Sequence, residues 1–429
     1  MGTMCLVLTT SLVAASWNQY GGDQGNTHRS QQRGPGGSIG STTEFLHPST
    51  GTEISQGHSG TQVTCTANDD YIVTSYDNEV HVFDNSGTHQ TYLSLSSYGV
   101  TAGMGTRAAP LFDNTNNLIY FGTESGSFFE VQLTITAGIY SLTVANVDTS
   151  IGVIESPATQ TPDGSIYVAE QWGDIHRFSG NPLTWQATYT TGEVITGAIA
   201  AFECDATSLG NEIVVATRDG NLHVLSHDLS TNLWTNTDGY TAGDEYGAGV
   251  TIAGLWGSGS DPLALMSLNG ASTGSYSGGV RAVNLATGFT EGVFEPSLST
   301  IGSDEILGSV AILHPDSGNR WATIASSDGY VYGFDLLNIT NEMWNAPLID
   351  PSILSIRPGY GTPAVGQQNA VYVISDTEDL HVFDGNSGSR IGIDTSFKSG
   401  STGATGDAII GNTQNLTVTL ASGTHILYR

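Results

Sequence analysis

The chain of 429 residues is strongly acidic, since 41 Asp and Glu residues against 11 Lys and Arg residues give a formal net charge of −30. This charge argues against a nucleic-acid partner, whose binding depends on basic contacts to phosphate, and against adsorption to anionic lipid. Hydrophobic residues make up 38% of the chain, and no apolar run after residue 16 approaches the ~20 residues of a membrane-spanning helix.

The first predicted element is a secretory signal at the start of the chain. Residues 4–15 read MCLVLTTSLVAA, an apolar stretch that ends in small residues, as a signal core and its cleavage site do. No basic region precedes it, and an apolar arm without a targeting role is the alternative. We expect a signal segment or its remnant at residues 1–16 and one domain over residues 17–429. The protein would then be extracellular or on the cell surface, and periplasmic in a bacterium with two membranes.

A strand pair of one design recurs through the rest of the chain. Each copy has an apolar run, a tight turn and a second, alternating run, as in NEIVVATRDGNLHVLSHD (residues 211–228) and WATIASSDGYVYGFDLLN (residues 321–338). The first apolar residue after the turn recurs at a spacing close to the ~40–50 residues of one four-stranded propeller blade. These residues are Val80, Phe128, Ile175, Leu222, Val280, Val331, Leu380 and Thr424.

Small residues lead into a further short apolar run in each copy. Examples are Ala108-Ala109-Pro110, Ser156-Pro157-Ala158 and Thr196-Gly197-Ala198. Innermost propeller strands crowd around an axis, so eight such segments and eight repeats predict an all-β, eight-bladed β-propeller. The last copy lacks a fourth strand. We expect an N-terminal strand to close the fold, with residues 43–47 or 51–55 pairing with the strand at residues 425–428.

Three tryptophans follow the third strand of a repeat. We expect Trp185, Trp234 and Trp344 to be buried at equivalent positions between blades, because large aromatic side chains dominate packing. Stacking on a sugar or a cofactor is the alternative interpretation.

Several polar motifs have a simple structural interpretation. Five histidines share one column of the repeat, which Phe129, Arg281 and Tyr332 occupy in the other copies; we expect these side chains to pack between blades, too far apart to share a metal ion. The G-x-S-x-G at residues 270–274 lacks the strand-to-helix context of a nucleophile elbow. The turns at residues 113–117 and 384–386 lack the spacing of a calcium loop, and acidic pairs such as Asp69-Asp70 are interpreted as solvated. The histidines are His81, His176, His223, His381 and His425.

Two stretches carry a family resemblance. Residues 328–335 (DGYVYGFD) followed by Trp344, and residues 219–228 followed by Trp234, resemble the repeat of pyrroloquinoline-quinone (PQQ)-type propellers. The segment WNQY at residues 17–20 resembles the opening of secreted prokaryotic members. The resemblance covers nearly the whole chain and implies one of two branches. Quinoprotein dehydrogenases hold PQQ and calcium on the axis, whereas other members, such as the outer-membrane assembly lipoprotein, are binding scaffolds.

Departures from the dehydrogenase pattern favour the scaffold branch. The dehydrogenases carry adjacent cysteines and large insertions, but Cys5, Cys65 and Cys204 are far apart and no such insertion fits. We therefore expect a monomeric binding or scaffold propeller with an unknown protein or carbohydrate partner. No catalytic residue, metal ligand or cofactor is predicted, and cofactor-binding residues are left unassigned. The alternatives are a PQQ- and calcium-dependent alcohol or sugar dehydrogenase and a carbohydrate-binding propeller.

Overall fold

A computed structural model shows an all-β chain built from four-stranded antiparallel sheets. The structure describes residues 42–51, 54, 63–68, 70–75, 77–106, 108–195, 197–202, 212–237, 249–254, 262–268, 279–298, 308–313, 320–326, 328–348, 362–366, 368–375, 379–394, 409–410, 416–419 and 425–428. Within these residues no helix is long and apolar enough to cross a membrane.

The described strands form eight sheets, and seven of them are contiguous in sequence. Sheet 1 comprises β2 (Val63–Cys65), β3 (Tyr71–Thr74), β4 (Glu79–Phe83) and β5 (His89–Ser94), and sheet 2 comprises β6 (Leu111–Asp113), β7 (Leu118–Gly122), β8 (Phe128–Thr136) and β9 (Ile139–Asp148). Sheet 3 comprises β10 (Thr159–Gln160), β11 (Ile166–Ala169), β12 (Asp174–Ser179) and β13 (Thr184–Thr190), and sheet 4 comprises β14 (Ala200–Phe202), β15 (Glu212–Ala216), β16 (Leu222–Leu225) and β17 (Asn232–Asn236).

The remaining four sheets follow the same order, except that the last one recruits a strand from the start of the chain. Sheet 5 comprises β18 (Thr251–Ala253), β19 (Leu263–Leu268), β20 (Gly279–Asn284) and β21 (Thr290–Phe294), and sheet 6 comprises β22 (Ala311–Ile312), β23 (Trp321–Ala325), β24 (Tyr330–Asp335) and β25 (Glu342–Pro347). Sheet 7 comprises β26 (Ala364–Val365), β27 (Ala370–Ile374), β28 (Leu380–Asp384) and β29 (Arg390–Asp394), and sheet 8 comprises β30 (Ile409–Ile410), β31 (Leu416–Thr419), β32 (His425–Tyr428) and β1 (Thr42–Phe45).

The sequence pattern explains the strands and their turns. Second and third strands such as Ile166–Ala169 and Leu222–Leu225 are buried along their whole length, because each sheet is covered by a neighbour on both faces. Fourth strands are partly exposed, as the alternation of β13 shows. The predicted Asp-Gly turns are present, with Gly220 and Gly329 at φ 81 and φ 88, a conformation that glycine adopts without strain.

Apolar side chains form a series of clusters between consecutive sheets. Separate clusters join sheet 1 to 2, 2 to 3, 3 to 4, 4 to 5, 5 to 6 and 6 to 7. A further cluster contains Phe45 of β1 together with residues of sheets 7 and 1. The first strands of neighbouring sheets also contact one another, as β10 and β14 do. Each sheet is therefore stabilised mainly by the sheets beside it.

The predicted pairing between the two ends of the chain is confirmed. Strand β1 is antiparallel to β32, with Thr42 opposite Tyr428 and Phe45 opposite His425. Phe45 is fully buried and stacks on Phe83 of sheet 1, with ring centroids 4.4 Å apart. The N-terminal strand thus completes sheet 8 and packs against sheet 1.

The tryptophan prediction is only partly correct. Trp344 is 8% exposed and lies close to Gly388 of the next sheet, and Trp234 is half-buried against Gly288 in the same way. Trp185, however, is 56% exposed, so the prediction that it is buried is wrong.

The position of Trp185 along its strand explains why it is exposed. Trp234 and Trp344 each lie on the side of a β-bulge that is farther from the hairpin turn, opposite Val224 and Gly333. Sheet 3 has the equivalent bulge, but Trp185 lies on its turn-proximal side, opposite Phe178, and Ala187 takes the position of the other tryptophans. Leu229 of sheet 4 is buried in the interface with sheet 3.

Candidate functional site

A cluster of ionisable side chains lies where the N-terminal segment meets sheet 1. His47 follows β1, whereas Glu79 and His81 lie two residues apart on β4, so their side chains share one face of the strand. The Oε2 atom of Glu79 is 3.1 Å from Nε2 of His47 and 3.2 Å from Nε2 of His81. The ligand atoms of all three residues lie within 4.8 Å of one another. We call these three residues the seam cluster.

A second layer of side chains surrounds the seam cluster. Nδ1 of His81 is 3.3 Å from Nε2 of His89 on β5, and Tyr92 stacks on the His81 ring, with centroids 5.6 Å apart. Nδ1 of His47 is 2.9 Å from Oγ of Ser49. Both imidazoles are therefore oriented by contacts to the nitrogen that does not face Glu79.

The surroundings set the charge of the cluster. The hydrogen bond with His81 is the main cause that holds the pKa of Glu79 below its usual range, against the opposing effect of burial. Burial lowers the pKa of His81, although Glu79 acts in the other direction. Burial also lowers the pKa of His89 to about 4. At neutral pH the cluster thus combines the anionic carboxylate of Glu79 with the neutral imidazole of His81, the states in which these groups bind metals.

Two imidazole nitrogens and one carboxylate form a set that tetrahedral metal sites use. Zinc sites with three protein ligands include the His₂Glu combination and leave one position open. The His81 side chain is fully buried, whereas those of His47 and Glu79 are 14% and 20% exposed. The cluster is therefore rigid on one side and reachable from solvent on the other.

Sequence reasoning missed this site. His81 was interpreted as a packing residue, and neither His47 nor Glu79 was a candidate. The Glu-x-His spacing of residues 79 and 81 is a signal for half of the cluster, because alternate residues of a strand share a face. His47 could not be added from sequence, since only the tertiary pairing of β1 with β32 brings it there.

Other histidines of the column also bond to carboxylates, each in its own sheet. Nε2 of His176 is 2.8 Å from Glu170, and Nδ1 is 2.8 Å from the hydroxyl of Thr188. His223 has the same kind of partners in Glu193 and Thr235, at 3.3 Å and 3.2 Å. The structure does not bring these histidines together. Each fixes the position of a loop or a fourth strand relative to its own third strand.

The rest of the column is buried but chemically mixed. His381 is fully buried, and burial, followed by the charge of Arg390, lowers its pKa to about 3. Tyr332 donates a hydrogen bond to Asp328. Arg281 is fully buried and donates to the carbonyl of Gly220. Phe129 packs between sheets 1 and 2, and the side chain of His425 lies outside the described residues.

The remaining sequence motifs are placed as follows. The turns at Asp113 and Asp384 are held by their own carboxylates, which accept hydrogen bonds from the backbone N–H groups of Thr115 and Asn386. The interpretation of Asp70 as solvated is wrong, because it is 5% exposed and accepts a hydrogen bond from Tyr140 at 2.9 Å. Cys65 is fully buried. Residues 1–16, Cys5, Cys204 and the motif at residues 270–274 lie outside the described residues.

One end of the sheets carries both the turns between second and third strands and the connections between sheets. The two kinds of segment bond to each other: Gln171 N–H donates to the carbonyl of Val153 at 2.8 Å, and Arg218 N–H donates to that of Val194 at 2.8 Å. We call this end the connection face. Over sheets 1 to 3 it exposes three large side chains, those of Tyr98 (38%), Met104 (38%) and Trp172 (68%).

Trp172 stands on a tightly fixed hairpin. Glu170 at the start of the turn accepts hydrogen bonds from Gly152 N–H at 2.8 Å and from His176. Gly173 has φ 101, and a Cβ there would lie 2.4 Å from the carbonyl oxygen of Glu193, so only glycine fits. The exposure of Trp172 is therefore imposed by the turn. The same turn and the connections beside it in sequence also carry carboxylates, among them Glu155, Asp174 and Glu193.

Comparisons with known proteins agree with this architecture. No protein-family model matches the sequence, and no curated protein matches it significantly. Solved structures do match. BamB from Moraxella catarrhalis is 16% identical, with 91% of this chain and 97% of that chain covered and a TM-score of 0.58. Saccharomyces cerevisiae Sqt1 is 11% identical, with coverage of 92% and 99% and a TM-score of 0.67.

An enzyme is also among the similar structures. A europium-containing methanol dehydrogenase is 10% identical, with 95% of this chain and 89% of that chain covered and a TM-score of 0.61. At these identities the likeness establishes the fold alone. The chain has a β-propeller fold.

Proposed function

We propose that this protein is a secreted or surface-exposed binding propeller, without catalysis of its own, that holds a basic protein partner on its connection face. The propeller would have eight blades of the PQQ-like type, closed by the N-terminal strand. The pairing of β1 with β32 supports closure, as do the apolar clusters that link each sheet to the next and the contact of β2 with β31 of sheet 8. Closure would leave no free sheet edge.

The observation that carries the proposal is the exposure of Trp172 on a rigid turn. Exposed tryptophan costs solubility, and Trp, Tyr and Met are enriched in protein interfaces. Tyr98 and Met104 lie on the same face. A preformed hairpin would lose little conformational entropy on binding, which favours affinity.

Charge indicates the chemistry of the partner. The connection face carries Glu124, Glu155, Glu170 and Glu193 on neighbouring loops, and the whole chain has a net charge of −30. An acidic surface attracts basic partners and accelerates their association at low ionic strength. A protein segment rich in Lys and Arg that also carries an aromatic or aliphatic anchor would complement both features of the face.

The alternatives have narrower support. The PQQ- and calcium-dependent dehydrogenase is supported by the shared fold alone. The seam cluster does not add support, because it lies on the third strand of sheet 1 and the segment after β1, away from the innermost strands where an axial cofactor would bind. A carbohydrate-binding propeller would use Trp172 as a stacking platform, and the experiment below distinguishes it.

The test compares two exposed tryptophans of the same sheet. Binding of fluorescent peptides that alternate Lys or Arg with Tyr is measured against length-matched acidic peptides and against neutral oligosaccharides. The wild type should bind the basic peptides with an affinity that falls as salt rises. Trp172→Ser should weaken binding more than 10-fold, whereas Trp185→Ser, at 56% exposure on a fourth strand, should leave it unchanged.

Three results would overturn the proposal. Equal effects of the two substitutions would show that Trp172 has no special role. Binding that ignores peptide charge would remove the electrostatic argument. Saturable binding of an oligosaccharide that depends on Trp172 would establish the carbohydrate-binding alternative instead.

A further inference from the structure

The seam cluster has donor spacings close to those of a tetrahedral metal site. With metal–ligand bonds of about 2.0–2.1 Å, donor atoms of a tetrahedral zinc site lie roughly 3.3–3.4 Å apart. Glu79 Oε2 is 3.1 Å from His47 Nε2 and 3.2 Å from His81 Nε2. Two of the three donor pairs therefore need to separate by only a few tenths of an ångström to admit an ion.

We propose that His47, Glu79 and His81 bind one divalent transition-metal ion of the zinc class, which fastens the N-terminal segment to sheet 1. The ligand set selects the metal. Two imidazoles and one carboxylate suit Zn²⁺ and Co²⁺, whereas Ca²⁺ and Mg²⁺ require sites built from oxygen atoms. One position would stay open to solvent.

Contacts behind the ligands match those that metal-binding histidines need. Such a histidine usually donates its second ring N–H to a neighbouring acceptor. His89 Nε2 lies 3.3 Å from Nδ1 of His81, and Ser49 Oγ lies 2.9 Å from Nδ1 of His47. The Nε2 atom of His89 is therefore placed to accept the Nδ1 proton of His81.

His47 must change tautomer when the ion enters. Without an ion, the backbone N–H of Ser49 points at Nδ1 of His47 at 3.3 Å, which places the ring proton on Nε2, facing Glu79. In the metal complex this proton moves to Nδ1, where the hydroxyl oxygen of Ser49 can accept it.

The competing explanation is that the three residues form a hydrogen-bonded cluster that binds no metal. A second His–carboxylate pair in the chain serves as the control for ordinary hydrogen bonding. Glu170 and His176 form a His–carboxylate contact of 2.8 Å. Among the described residues this pair is not part of any three-ligand group, since the seam cluster is the one such group found there. Removing the carboxylate charge at each place therefore separates metal binding from ordinary hydrogen bonding.

The experiment titrates chelator-treated full-length protein with Zn²⁺, Ca²⁺ and Mg²⁺ by calorimetry and follows Tm. Zn²⁺ should bind one site tightly and raise Tm, because an ion that binds only the folded state stabilises it. Co²⁺ should give the visible absorption of a tetrahedral complex. His47→Ala and Glu79→Gln should weaken Zn²⁺ binding more than 10-fold and abolish the Tm rise, whereas Glu170→Gln should retain both.

Clear outcomes would refute the site. Zn²⁺ binding that survives both His47→Ala and Glu79→Gln would assign it to other histidines. Equal loss in Glu170→Gln would show a general effect of removing carboxylates. Absence of saturable Zn²⁺ binding by the wild type would also refute it. Glu79→Gln keeps the shape of the side chain, and its Tm without metal reports whether folding itself has failed.

Discussion

Replacing Trp344 by alanine tests how the sheets are held together. The indole is 8% exposed, its Nε1–H donates to the carbonyl of Gly385 at 2.8 Å, and its ring lies against Gly388 of the next sheet. Trp344→Ala removes this packing and leaves the carbonyl without its indole donor. Trp185→Ala is the matched control, because that side chain is 56% exposed and bonds only within its own strand, to Thr188.

The expected losses differ several-fold. Truncation of a buried tryptophan costs about 3–5 kcal/mol, including the cavity, and we expect about 4 kcal/mol for Trp344→Ala. Surface substitutions usually change stability by about 0.5 kcal/mol or less, which we expect for Trp185→Ala. Trp234→Ala should lie between the two, since Trp234 is half-buried. For 429 residues, 4 kcal/mol lowers Tm by only about 4–5 °C, because the unfolding entropy grows with chain length.

Urea denaturation followed by intrinsic fluorescence measures these differences, with the slope m checked for each variant. The order of losses should be Trp344, then Trp234, then Trp185. If Trp185→Ala and Trp344→Ala reduce the free energy of unfolding equally, the interface between sheets 6 and 7 does not depend on the tryptophan, and the argument from burial fails.

Three further predictions concern the seam, a glycine and a buried histidine. Phe45→Ala should cost about 3–5 kcal/mol in urea denaturation, because the buried ring stacks on Phe83; an unchanged midpoint would contradict a structural role of β1. Gly388→Ala should cost more than Gly138→Ala, since both have positive φ but only the former places a Cβ 2.8 Å from Trp344; equal costs would show that the clash is relieved. Burial lowers the pKa of His381 to about 3. The unfolded chain, with a pKa of ~6.5, takes up the proton first as pH falls, so the free energy of unfolding should decrease from there toward pH 3. His381→Phe should reduce this loss in urea titrations between pH 7 and 4, and an unchanged pH dependence would show that His381 is not responsible.

The repeat was predictable because its signals are local. Glycines in tight turns, alternating runs and small residues before the first strand all act within one sheet, and those in the described part of the chain lie where the sequence predicts them. The prediction for Trp185 fails because this residue lies closer to the hairpin turn than Trp234 does, on the other side of a β-bulge that both sheets share. A signal for this exists: Trp185 follows Ile175 more closely than Trp234 follows Leu222.

The sites were harder to predict because they depend on tertiary contacts. His47 reaches Glu79 only after the ends of the chain have paired. The exposure of Trp172 was detectable in principle, because Trp172-Gly173 occupies a turn in the repeat, where an indole has no core to fill.

The composition of sheet 8 affects how the protein can fold during synthesis. Sheets 1 to 7 are each contiguous in sequence, so each can assemble as soon as its own segment has left the ribosome. Among the described strands, β1 is made first, and its partner β32 is the last of them to be made. Until then its edge and Phe45 must be shielded from other chains, and closing so long a loop is entropically slow. Translation of the final repeat is therefore the step at which chaperones or crowding would most affect the yield of native protein.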